Sequence, residues 1–173
     1  ADGRRTIPSV VSFAREDPLV GFPAKSQATT NPRNTIYESK RFIGKTFDAV
    51  QEDVKSGKFP FAVVNNSGRA AFQVVGEDQD STRLVSPAEV GSAVLKTLKA
   101  TAEQYLGQSV SQAVMSVPVE FTEAQRKATE KAAALAGLDV VRILNEPTAA
   151  ALAYGLHTKD EVNYIVVFDW GGE

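Results

Sequence analysis

The chain has 173 residues, 43% hydrophobic and 23% charged, with a formal net charge of −2, which fits one ordinary globular domain or two small lobes with a real core. So even a balance excludes a large nucleic-acid or anionic-membrane footprint, because both need clustered excess Lys and Arg. Zero cysteines exclude disulfides and thiol chemistry, and a single histidine, His157, excludes a His-rich metal site.

In chain order, the start shows no signal-peptide pattern, and no apolar run approaches the roughly 18–20 residues of a membrane span. Residues 1–35 are loop-rich, with prolines at 8, 18, 23 and 32, and "TIPSVVSFA" predicts a short strand after Pro8. "NTIYESKRFI", residues 34–43, reads as a short helix capped by Asn34 and stopped by Gly44. "FPFAVVNNSGRAAFQVV" places two extended runs around Asn65-Asn66-Ser67-Gly68, the composition of a β-hairpin.

From residue 86 the character changes. "SPAE" is a capping box with Ser86 as cap and Glu89 reaching back, and it opens a helix whose apolar residues recur at helical spacing up to Gly107. "AVMSVP" is an apolar strand closed by Pro118, and "TEAQ" at 122–125 is a second capping box whose helix runs to Gly137. "DVVRIL" predicts a strand, "PTAAALAY" a helix with Gly155 after its end, and "YIVVFD" a last strand. The order α-β-α-β-α-β with strands this apolar argues for a sheet covered on its faces. There is no internal repeat, and the break near residue 85 is the expected subdomain boundary.

In open α/β sheets ligands sit beyond the carboxyl ends of the strands. Pro118, Asn145-Glu146 and Asp169 fall at such ends. An Asp followed by Gly171 and Gly172 suits a magnesium–phosphate site, where a carboxylate holds a metal-bound water and glycines let backbone N–H groups approach phosphate. It is equally an ordinary strand-to-loop turn. Glu146 reads either as a carboxylate orienting a water near a phosphate or as an acid favoured by a helix N-terminus. Lys40 reads either as a phosphate ligand or, with Arg41, as a solvated helix face. His157 reads as a surface residue, and Trp170 as core or as surface.

"NEPTAAALAYGL", "VGFPAKSQATTNPRNTIYESKRFIGK", "SVPVEFTEAQRKAT" and "AGLDVVRILNEP" together resemble the seventy-kilodalton heat-shock chaperone family. The resemblance covers nearly the whole chain, is weakest across 50–83, and is nearest to organellar or bacterial-type members and the truncated microsomal relative. It implies an actin-like (ribonuclease H-like) α/β ATPase fold, here an incomplete first lobe, with residues 1–85 as outer and 86–173 as inner subdomain. It implies ATP or ADP, magnesium and potassium as ligands. Lys40 resembles the lysine that reaches the γ-phosphate and attacking water, Glu146 the cleft glutamate and Asp169 the aspartate near magnesium, the two carboxylates holding the metal through water. Gly171 and Gly172 resemble phosphate-loop glycines, Pro118 and Arg126 the pair that relays nucleotide state, and Arg142 an arginine that meets the J-domain co-chaperone and the linker.

The departures shape the expected function. The family's "GIDLGTT" strand and loop do not precede Ala1, and its "DLGGGTFD" motif is "DWGGE" here, with Glu173 where a third glycine would stand. The resemblance implies a parent that couples ATP hydrolysis to binding and release of unfolded polypeptides, served by a J-domain co-chaperone and a nucleotide exchange factor. This chain alone is expected to be inactive. The alternative is a non-catalytic lobe that contacts a J-domain or self-associates; another actin-like ATPase, such as a sugar kinase, is a further reading. Cytoplasm, mitochondrion and endoplasmic reticulum lumen are all compatible with the sequence.

Overall fold

The computed structural model describes residues 6–76, 81–155, 158 and 164–169. Its first half is built from short extended pieces. β1 (Val11–Ser12) pairs antiparallel with both β2 (Leu19–Val20) and β3 (Thr35–Ile36). A short helix, α1 (Phe22–Ser26), follows β2 with a proline in its first turn, where the missing N–H costs nothing. α2 (Gln51–Lys55) is another single short helix.

The expected hairpin forms as β4 (Ala62–Asn66) and β5 (Arg69–Val75). Ser67 and Gly68 both take positive φ, as a two-residue turn between right-twisted strands requires, and Gly68 accepts this without strain. β6 (Thr82–Val85) adds a third antiparallel strand to β5, which the sequence did not announce. On this sheet sits an aromatic core. Phe42, Phe59, Phe61, Phe72 and Tyr37 meet mostly edge to face, with centroids 5.1–5.9 Å apart. Such geometry matches negative ring faces to positive ring edges. Val11, Ile36, Val50, Val85 and Val90 close around it.

The second half is a β-α-β unit. α3 (Pro87–Leu106) and α4 (Glu123–Leu135) start on the two expected capping boxes, both fully hydrogen-bonded. They pack on each other, and α4 connects β7 (Gln112–Val117) to β8 (Asp139–Asn145), which run parallel. α5 (Glu146–Ala153) leaves β8 directly. Parallel strands put Val117 and Asn145 side by side, so both carboxyl ends open onto one crevice. Among the described residues no helix is long and apolar enough to cross a membrane.

Two expectations are corrected. Residues 34–43 do not form a helix: Thr35 and Ile36 are strand, and only Ser39–Arg41 make a single 3-10 turn. β-branched Thr35 and Ile36 favour extended backbone, and Glu38, at φ 52, interrupts any helical run. Asn34 is no cap, because its side chain bonds the backbone N–H and C=O of Val75 at 2.8 and 3.0 Å. The second correction concerns "YIVVFD": residues 164–169 join no sheet among the described residues. A run apolar on both faces needs cover on both, and Tyr164, Val166 and Phe168 stay exposed.

Candidate functional site

Beyond the ends of β7 and β8, five residues close a ring of contacts. Lys40 rides on the 3-10 turn after β3, and its Nζ donates to Glu146 Oε1 at 2.6 Å, across 106 residues of sequence. Glu146 is the first residue of α5, with Pro147 behind it. Asn145 stands at the cap position of α5 but makes no capping bond. Its Oδ1 instead accepts from Arg126 Nη2 at 2.8 Å. Arg126 also donates from Nε to the Phe121 carbonyl at 3.2 Å and from Nη2 to the Val119 carbonyl at 3.5 Å. The Phe121 ring lies 5.9 Å from Lys40 Nζ, which completes the circuit.

Each member is held by its own element. The Lys40 turn is pinned from behind by Glu38, whose Oε2 takes both Arg41 Nε and Lys58 Nζ at 2.8 Å. Pro118 ends β7, and its carbonyl accepts from Phe121 N at 3.2 Å, folding the loop back towards Arg126. The rigid fork of a guanidinium suits this task, since one side chain satisfies two carbonyls and an amide oxygen at fixed angles.

The structure therefore brings together Lys40, Glu146, Pro118 and Arg126. Arg142 is not part of the ring: it lies on β8 opposite Val114 and is exposed. Asp169 is exposed, and no hydrogen bond or ion pair joins it to Lys40 or Glu146 among the described residues. Gly171 and Gly172 lie outside the described residues, as do His157 and Trp170. Sequence reasoning placed Asn145 at a strand end without a role and missed Phe121 and Glu38. Phe121, apolar and immediately before a capping box, was the one with a readable signal.

A cavity of about 1010 Å³ opens beside the ring, walled by Tyr37, Lys40, Leu95, Val117 and Phe121 among others. A phosphate fits the ring's chemistry, because an ammonium carries three donors and Glu146 occupies one of them. A direct metal cage does not fit: among the described residues no group of three His, Cys, Asp or Glu side chains converges to hold an ion.

A family profile described as "Hsp70 protein" matches residues 1–173. The chain is 49% identical over 171 residues, 99% of its length, to Heat shock 70 kDa protein 13 of Bos taurus, of Rattus norvegicus and of Homo sapiens. It spans 36% of the length of each of these relatives. A broadly actin-like α/β ATPase fold follows from that match, and the chain belongs to the Hsp70 family of chaperones.

Proposed function

We propose that the intact protein hydrolyses ATP to ADP and phosphate and couples this to binding and release of unfolded polypeptides. In this reading the chain supplies the first lobe, with residues 1–85 as outer and 86–173 as inner subdomain. The contact between Lys40 and Glu146 carries the proposal, because it joins a basic turn of the first half to the crevice of the second.

Phosphoryl transfer depends on positioning and charge stabilisation by several groups at once. Lys40 meets the γ-phosphate oxygens, and Glu146, released from Lys40 by that phosphate, orients the attacking water. Magnesium usually keeps several waters and needs only one or two carboxylates besides the substrate phosphates. Glu146 and Asp169 would hold it in that indirect way, through water, Gly171 and Gly172 would offer backbone N–H groups to the phosphates, and potassium would be the second cation. When bound, the metal neutralises phosphate charge. Arg126 sits on the ring that a change at Glu146 disturbs first, and Pro118 adjoins it through its carbonyl on Phe121 N, which supports their part in relaying nucleotide state. The 173-residue chain offers one wall of such a site and by itself turns over no ATP.

The test is single-turnover hydrolysis by the intact protein carrying Lys40→Ala or Glu146→Ala. Loss of a positioned charge of this kind lowers the rate by about 10²–10³-fold. A rate within about twofold of the unmodified protein in both variants would overturn the reading. Turnover by the 173-residue chain that disappears with Glu146→Ala would overturn the claim of inactivity.

A second reading is favoured by one observation: Arg142 is exposed on β8 beside Val141, which is itself exposed. This face suits a J-domain co-chaperone, with the exchange factor acting on the intact protein elsewhere. An NMR titration with a J-domain should shift β8 amides, and Arg142→Ala should abolish the shifts. Shifts that survive the substitution would remove Arg142 from the interface.

A further inference from the structure

Lys40 stands on a slight support. The 3-10 turn Ser39–Arg41 is three residues long, and a turn of this kind has little stability of its own. It opens on Glu38, at φ 52 and ψ 26, the left-handed region that a glutamate rarely adopts. Among the described residues one other non-glycine, Ser67, has positive φ, and the two-residue hairpin turn demands it there. No hairpin demands it at Glu38. A conformation that costs free energy persists where the surroundings over-determine it, and such positions cluster at functional sites.

The surroundings of Glu38 are two cations. Its side chain is 14% exposed, and its Oε2 lies 2.8 Å from both Arg41 Nε and Lys58 Nζ. The Arg41 contact closes the turn on itself, together with Arg41 N donating to the Glu38 carbonyl at 3.0 Å. The Lys58 contact reaches outside the turn. Lys58 Nζ stands 5.5 Å from the Phe59 ring centre, and Phe59 packs on Tyr37, Phe42 and Phe61. Through Lys58 the turn is therefore tied to the aromatic core.

We propose that Glu38 is a positioning residue, which holds the Lys40 ammonium where Glu146 and an incoming phosphate meet it. Glu38 locks the turn through Arg41 and anchors it through Lys58, and touches no phosphate itself. The hold on Lys40 follows from these contacts alone. Its effect on rate rests on the reading of Lys40 as the lysine that meets the γ-phosphate. Misplacing a reacting group by about 1 Å costs as much as about a hundredfold in rate, so a support of one carboxylate is enough to matter.

The test compares, in the intact protein, Glu38→Gln, which keeps the shape and loses the charge, with Glu38→Gly. Glycine suits a positive φ, so the second variant keeps the backbone while losing the side chain. Both should lower the single-turnover rate roughly ten- to a hundredfold and leave the affinity for ADP within about twofold. Lys58→Met should slow the reaction to a smaller degree, and Glu38→Asp should recover part of the rate. Because Glu38 acts through Lys40, adding Glu38→Gln to Lys40→Ala should slow the reaction no further. A merely structural Glu38 would slow both backgrounds alike, and that result would overturn the proposal. In nucleotide-free protein with labelled lysines, the ammonium signal that Lys40→Ala removes should shift in Glu38→Gln. An unmoved signal would overturn the proposal, as would a Glu38→Gln rate within about twofold of the unmodified protein while Lys40→Ala is slow. A shifted signal with Lys40→Ala itself at full rate would uphold the hold on Lys40 and bring down the phosphate reading instead.

Discussion

Lys40 and Glu146 make the shortest side-chain contact of the candidate site, yet their side chains are 51% and 31% exposed. Ion pairs this open contribute roughly 0–1 kcal/mol, so the pair serves position more than stability. Asn34 is the opposite case. It is buried, and its amide satisfies both backbone groups of Val75. Asn34→Ala would leave that N–H and C=O without their partners in a partly buried setting, and we expect a loss of about 2 kcal/mol in urea unfolding. A loss below about 0.5 kcal/mol would mean that water replaces the amide at no cost. Local sequence named Asn34 a helix cap, a role that Asn fills as readily as this one. What decides between them is a strand 41 residues away, and no local pattern carries that information.

At the scale of elements, what was legible is what local rules fix. Ser86 and Thr122 stand three residues before Glu89 and Gln125, and both boxes form as read. The Glu89 carboxylate takes both the N–H and the hydroxyl of Ser86, at 2.7 and 2.6 Å, while Ser86 Oγ accepts from Glu89 N at 3.2 Å. Ser86→Ala should therefore cost about 1 kcal/mol of stability, measurable as a shift in urea midpoint at constant slope. No shift would indicate that packing of Val90 alone fixes the start of α3. The turn that carries Lys40 obeys no such local rule. Gly44 closes it at φ +68, and a Cβ there would stand 2.5 Å from Gln125 Cα on the first turn of α4. Gly44→Ala combines backbone strain with overpacking against main chain that cannot rotate away, and should cost about 2–4 kcal/mol. It should also push Lys40 off Glu146, seen as a changed Lys40 ammonium environment by NMR. Full stability in Gly44→Ala would show that the two elements are not pressed together. Gly44 was legible as a stop signal and α4 as a helix, whereas the close contact between them was not.

Across the whole molecule, apolar burial is uneven, and the unevenness has a measurable consequence. The main buried cluster is anchored on β5, flanked by β4 and β6, and from α3 it includes Val90, with the partly buried Ala93 and Val94 packed against it. Among the described residues β7 and β8 pair only with each other, and Val114 and Val141 remain exposed on them. In sequence the second half is the more apolar, with 43 hydrophobic residues of 88 against 31 of 85 in the first, so composition alone pointed the opposite way. Among the described residues β5 finds two partner strands and β7 one, which sets the contrast. Amides with few buried neighbours open at lower free energy than those of a central strand. Hydrogen exchange on dilute, monomeric chain should therefore show amides of Phe72 and Val74 on β5 exchanging roughly a hundredfold more slowly than those along β7 and β8. Equal protection of β5 and β7 would mean that the crevice is held as rigidly as the aromatic core.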